Sequence, residues 1–303
     1  MRFTFEQQVS VRPPYRLDLT VDALRRLAAN VVDVVDEAGT FRRALHDGEG
    51  TNVIEVTQTS GRSLLLRVAG KNGGRWVPVV ETMLGTRVRL EQWYENVRPF
   101  RWLDVLSHEL VGLRPPRYPS LWEAFAHAIV FQQISIHAAA AIMRRTVETL
   151  GDPVEIGGSR YYPFMTPQSI AQAPDRVLRA AGLSQNKVAH LRSAAEAVLT
   201  GTVSAPAVEA LPSPAAAELL CTVRGIGPWS AAVVLLRGLG RLDVFPMKDS
   251  GVARSIRLLS GGEHTDAHAL LDRLGPVRGM LYFHLLLGRI RNLVPSAPDS
   301  QLV

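Results

Sequence analysis

The chain has 303 residues, 47% of them hydrophobic and 20% charged, which excludes global disorder and gives room for two domains. Its one cysteine, Cys221, excludes an intrachain disulfide, a cysteine-based zinc finger and a four-cysteine iron–sulfur cluster. The net charge of +6 is uneven, with 15 basic and 14 acidic residues through Gly112 but 19 and 14 from Leu113 onward.

Met1 to Glu6 lacks the apolar core of a signal peptide, and no apolar run approaches the roughly 18 residues of a membrane span. The expected address is cytoplasmic. Phe3 to Val9 partly alternates, as a strand would. Asp22 to Leu45 carries Leu24, Leu27, Val31, Val34, Val35, Phe41 and Leu45 at helical spacing, which predicts a helix. Asn52–Gln58 and Ser63–Ala69 are two short aliphatic runs with Gly61 between them, the pattern of a hairpin. Trp76–Leu84 returns to helical spacing. The order strand, helix, strand, strand, helix predicts an antiparallel sheet with helices on one side.

Leu113–Pro119 is rich in proline and arginine and marks the expected boundary between residues 1–112 and 113–303. Ser120 and Glu123 then form a capping-box pattern. Beyond them the spacing predicts helices over 120–131, 135–150, 167–172, 174–181, 184–199, 214–222, 229–239, 249–259, 265–273 and 276–291. The fold class is therefore α+β, a mixed N-terminal region followed by an all-helical one.

The most informative stretch is Leu220 to Ala232. An apolar helix ends at Val223, Gly225-Ile226-Gly227 turns the chain, and Pro228 opens a new helix. The first N–H groups of that helix would point outward, suited to a phosphate oxygen. A plain corner of a helical bundle fits the same spacing. Without a preceding strand, a dinucleotide loop does not. Asp249 follows Val244-Phe245-Pro246 at the start of another helix, where it serves as a cap or as a carboxylate at the mouth of a cleft.

These residues together resemble the helix-hairpin-helix, Gly/Pro…Asp glycosylase superfamily, and within it the bacterial 3-methyladenine DNA glycosylase II family. Ala128–Ser135, Phe164–Ile170, Gly182–His190 and Gly275–Arg278 extend the likeness over most of the chain. The resemblance implies two helical subdomains with a cleft between them. It implies a monofunctional enzyme of base excision repair that flips an alkylated, cationic purine out of duplex DNA and hydrolyses its N-glycosidic bond. A glycosylase for deaminated or oxidised purines, or a non-catalytic DNA-binding module, carries the same hairpin.

On this likeness Asp249 is the catalytic carboxylate, stabilising positive charge on the sugar as the base departs. Trp229, Tyr282, Phe164 and Val277 would wall the pocket, the indole favouring a cationic base. Gly225, Gly227 and Ser230 would hold phosphate, Ile134 beside Gln133 would fill the vacated stack, and Lys187 and Arg254 would add phosphate contacts. Packing roles in the core compete for Trp229 and Ile134. The carbonyls of Cys221, Arg224 and Ile226 match a monovalent-cation site, and no other cofactor is implied. Bifunctional relatives place a lysine two residues past the second hairpin glycine. Trp229 stands there, and the region from Leu113 holds only Lys187 and Lys248, so a Schiff-base lyase is disfavoured. A monomer acting on damaged double-stranded DNA is the expected working unit.

Overall fold

The computed structural model describes residues 2–247, 250–261 and 266–293. Five strands come first: β1 (Phe3–Ser10), β2 (Asp33–Val35), β3 (Phe41–His46), β4 (Thr51–Ser60) and β5 (Ser63–Ala69). They form one antiparallel sheet in the order β1-β5-β4-β3-β2. Helix α1 (Leu17–Arg25) connects β1 to β2, and α2 (Trp76–Met83), α3 (Glu91–Val97) and α4 (Arg101–Glu109) follow the sheet.

The helical region contains α5 (Leu121–Val130), α6 (Ile136–Leu150), α7 (Pro167–Gln172), α8 (Asp175–Ala180) and α9 (Gln185–Leu199). It continues through α10 (Ala205–Glu209), α11 (Ser213–Cys221), α12 (Pro228–Gly238), α13 (Ser250–Leu259), α14 (Ala267–Leu274) and α15 (Gly279–Ile290). A small hairpin, β6 (Val154–Ile156) and β7 (Ser159–Tyr161), interrupts it between α6 and α7.

The helix expected over Asp22–Leu45 is a correction. It ends at Arg25, because Arg26 takes a left-sided φ of 63° and leaves the helical path. Asn30 then accepts the N–H groups of Val32 and Asp33 on its Oδ1, a side-chain turn that competes with helix. The β-branched run after it goes into β2, and Phe41 starts β3. The hairpin around Gly61 and the strand near Phe3 form where the spacing put them.

One sheet face presents Phe41, Ile54, Val56, Leu64, Leu66 and Val68 to a core shared with α5, α9 and α12. The other face is partly covered, with Ala44 and Val53 under Tyr161 of the small hairpin. A second core joins Trp93, Trp102 and Leu106 of α3 and α4 to α14 and α15, with Leu19 and Ala23 of α1 inside it. Packing therefore runs across the breaker-rich segment at residues 113–119. Helix α5 lies at the centre, buried along its whole length, against α6, α9 and α12.

A buried ionic cluster fastens sheet to helices. Arg43 of β3 points into the core, ion-paired to Asp33 of β2 at 2.6 Å and to Glu123 of α5. Ser120 caps α5 by accepting the Glu123 N–H at 3.1 Å. The reciprocal half of the expected capping box does not form, because the Glu123 carboxylate goes to Arg43 instead. Burial, opposed by Arg43, pushes the Glu123 pKa up to about 7. Removing the guanidinium would strand two carboxylates away from water. Arg43→Ala is expected to cost about 3–5 kcal/mol, read as a shifted midpoint in denaturant unfolding.

Candidate nucleic-acid interface and base pocket

The hairpin between α11 and α12 is built on a close approach. Gly225 has φ of +90°, and a Cβ added there would come within 2.2 Å of the His190 ring on α9. Only glycine combines that φ with that contact. Gly227 is extended, exposed, and caps α12 through its carbonyl, which accepts the Ala231 N–H at 2.9 Å. Among the described residues no acceptor takes the N–H of Gly225 or Gly227. The carbonyls of Cys221, Arg224 and Ile226 accept no backbone hydrogen bond either. Cys221 and Arg224 are exposed, while Ile226 is buried. Ser230 is buried, so its hydroxyl is not on the outer surface; it accepts from Gln132 Nε2 at 2.7 Å.

The turn between α5 and α6 sits beside this hairpin. Gln132 Nε2 also donates to the Gly225 carbonyl at 2.9 Å. Gln133 takes a φ of 57°, and Ile134 after it is 38% exposed, large and apolar on an open turn. Ser135 then caps α6 by accepting from Ala138. The packing alternative for Ile134 is not what the fold adopts. Lys187, expected to face phosphate, is turned inward: its Nζ donates to the carbonyls of Val130 at 2.6 Å and Gln132 at 3.0 Å. Burial lowers its pKa below the usual lysine value. Arg254 is exposed on α13.

Lys248 and Asp249 lie outside the described residues. The segment leading to them is anchored by buried Phe245 and by α15. The Gly279 N–H donates to Leu242 O at 2.7 Å. A Cβ at Gly279 would lie 2.6 Å from Leu236 and 2.9 Å from Val244 O, so glycine lets α15 begin against this segment.

The four expected pocket walls have different surroundings. Val277 is buried in the second core. Trp229 is half-buried at the start of α12. Tyr282 is half-buried on α15 and its hydroxyl accepts from Arg26 Nη2 at 3.1 Å. Arg26 also lies 4.5 Å above the Phe131 ring. Phe164 stacks on His127 at 5.5 Å, and His127 stacks on Tyr118 at 4.2 Å. Arg26, His127 and Phe131 line a small cavity together with Met143.

A model of the HhH-GPD superfamily of base excision DNA repair proteins matches residues 126–275. The chain is 33% identical over 235 residues to DNA-3-methyladenine glycosylase 2 of Escherichia coli, covering 77% of this chain and 81% of that one. The chain belongs to the HhH-GPD superfamily. It is also 29% identical to a DNA-3-methyladenine glycosylase of Bacillus subtilis, spanning 56% of each chain, so just over half of that relative's length is matched. The solved 3-methyladenine DNA-glycosylase of Archaeoglobus fulgidus superposes with a TM-score of 0.79 at 26% identity, covering 93% of this chain and 98% of that one. Among the described residues of this superfamily member, no helix is long and apolar enough to cross a membrane.

Gln132, Phe131, His127 and Arg26 are the site residues that sequence reasoning missed. Gln132 and Phe131 stand in the Ala128–Ser135 stretch that carried the family likeness, so a signal existed for them. Arg26 comes from the misread helix and gave none.

His127 has its pKa held well below the usual histidine value, first by burial and then by Arg26, Arg237 and Arg43. Its neutral form belongs to the folded state, whereas the unfolded chain takes up the proton near pH ~6.5. Its contribution is therefore full above that pH and is lost as pH falls below it. His127→Phe is expected to flatten the decline in stability between pH 6 and 5 by up to about 1.4 kcal/mol per pH unit, measured by denaturant unfolding at each pH. His284, pushed down to about 4 by burial, supplies a parallel slope that the variant retains.

Proposed function

We propose that this repair protein is a monofunctional DNA glycosylase that releases alkylated, cationic purines from duplex DNA. One observation carries the reading. A hairpin whose Gly225 and Gly227 N–H groups have no acceptor among the described residues and an exposed apolar turn are fixed side by side through Gln132. The first suits a backbone phosphate and the second suits the gap left by an extruded base. An isolated helical corner has no use for the second element. The names of the relatives in E. coli and B. subtilis support 3-methyladenine as a member of the substrate class.

Asp249 is the carboxylate in this reading. Bond cleavage moves the glycosidic electron pair onto the departing base and leaves a cation at C1′ of the sugar. The carboxylate stabilises that cation and orients the water that adds to it, and the water's second proton passes to solvent. A cationic purine leaves as a neutral base, so no separate acid is required. Trp229 supplies a π face for the charged base. The Gly225 and Gly227 amides grip phosphate, with Arg224 and Arg254 adding charge on exposed surface. The unshared carbonyls of Cys221, Arg224 and Ile226 suit a monovalent cation, which would lend the hairpin positive charge toward phosphate. The enzyme works as a monomer on double-stranded DNA.

Asp249→Asn is expected to lower release of methylated bases by at least about 10²-fold, followed by chromatography of the freed bases, while gel-shift binding to abasic duplex persists. Undiminished release would remove Asp249 from the reaction. Borohydride added during turnover is expected to trap no covalent adduct, since the Lys187 ammonium is held on two carbonyls. A strong adduct would make the enzyme bifunctional, with Lys248 as the remaining candidate.

A further inference from the structure

Helix α9 touches both DNA-facing elements. Its first turn supplies Lys187, whose Nζ donates to Val130 O and Gln132 O at the C-terminal end of α5. Its next turn supplies His190, whose ring lies against Gly225 so closely that no side chain fits there. Residues three apart share one helix face, so a single face meets the turn and the hairpin together. The ammonium also sits at the negative end of the α5 dipole, where a cation is favoured.

Gln132 completes the arrangement. Its carbonyl is held by Lys187, and its side-chain amide donates to Gly225 O and to buried Ser230 Oγ. Main chain and side chain of one residue are thereby fixed to two different elements. The next residue, Gln133, is free to take φ 57° and to project Ile134 outward. The Lys187 charge faces inward, although its sequence position gave it the look of a phosphate contact.

We infer that Lys187 and Gln132 are positioning residues that set the spacing between the intruding Ile134 turn and the phosphate-gripping hairpin, with α9 as their common base. They act through geometry and touch neither the base nor the backbone. The inference rests on the glycosylase reading for its consequence in base release, but the clamp itself is testable by DNA distortion alone. A shift of about 1 Å in a positioning element is worth on the order of 10²-fold in rate, so the effect is large enough to read.

The test uses the full chain with Lys187→Met, Lys187→Arg and Gln132→Met. Affinity for undamaged duplex is measured across salt concentrations. Base extrusion is read from 2-aminopurine fluorescence beside an abasic site, and base release from methylated duplex is measured in single turnovers. For Lys187→Met the expected result is affinity within about twofold and an unchanged salt slope. The extrusion signal and release rate should fall about 10- to 100-fold. Lys187→Arg retains donors and should recover most of both, while Gln132→Met should reproduce the loss with every lysine intact. A phosphate contact would instead weaken binding uniformly and reduce the salt slope by about 0.9. That outcome, or wild-type extrusion in both Lys187→Met and Gln132→Met, would overturn the inference. Should Lys187→Met fail to fold, Gln132→Met and Lys187→Arg decide on the same signals. A wild-type protein that extrudes the base but releases none would count against the glycosylase reading and leave the clamp measurable.

Discussion

Residue 225 has to lack a side chain. The hairpin reaches its place on α9 only because the His190 ring can occupy the volume that any Cβ would claim. From that seat the Gly225 carbonyl meets Gln132, and through Gln132 the α5–α6 turn comes beside the hairpin. Displacing residue 225 outward would break the Gln132 bond and separate the hairpin from the α5–α6 turn. Ser230 is buried, so its hydroxyl depends on the Gln132 amide as a partner rather than on solvent. One backbone constraint thus fixes the relation between the hairpin and the exposed Ile134 turn.

The N-terminal sheet is tied to this assembly by charge as well as by apolar packing. Arg43 reaches α5 at Glu123, one turn before His127, and His127 lies among Tyr118, Phe131 and Phe164. Arg26, at the end of α1, lies over Phe131 and bonds Tyr282. The region before residue 113 therefore supplies groups to the same aromatic cluster that the helical region builds. A helical domain cut out at that boundary would lose Arg26 and Arg43 and expose part of α5, which is buried along its whole length.

Much of this was legible from residue order. Apart from the short α10, which was not anticipated, the helices from α5 to α12 follow caps and breakers that can be read directly, such as Ser120, Ser135, Thr166 and Pro228. The hairpin was marked by Gly225-Ile226-Gly227, although the reason for the first glycine, His190, lies 35 positions away. The α1–β3 stretch misled because Leu24, Leu27, Val31 and Val34 match a helical period while the Asn30 side chain ends it. Helices α3 and α4 were not anticipated, and their Trp93 and Trp102 enter the second core with α14 and α15. Lys187 could not be read correctly at all. A lysine on an amphipathic helix looks the same in sequence whether it meets water, phosphate or two carbonyls 55 and 57 residues distant.

The same limit applies to net charge. The helical region carries the basic excess, yet several of its cations face protein. Arg237 is fully buried and donates to the carbonyls of Ala23 and Leu24, at the end of α1. Arg241 holds Glu209 O and Leu211 O, Arg145 holds Ala181 O, and Arg192 holds Ala173 O. In each case a guanidinium, or in Lys187 an ammonium, satisfies carbonyls that helix ends leave over. A fold made of many short helices generates many such ends, and cations are the side chains that can reach them without an acceptor of their own to satisfy. Formal charge therefore overstates what is available to phosphate. The share that remains is borne by exposed positions such as Arg224, on the hairpin itself, and Arg254 and Arg257, on the helix that follows Asp249.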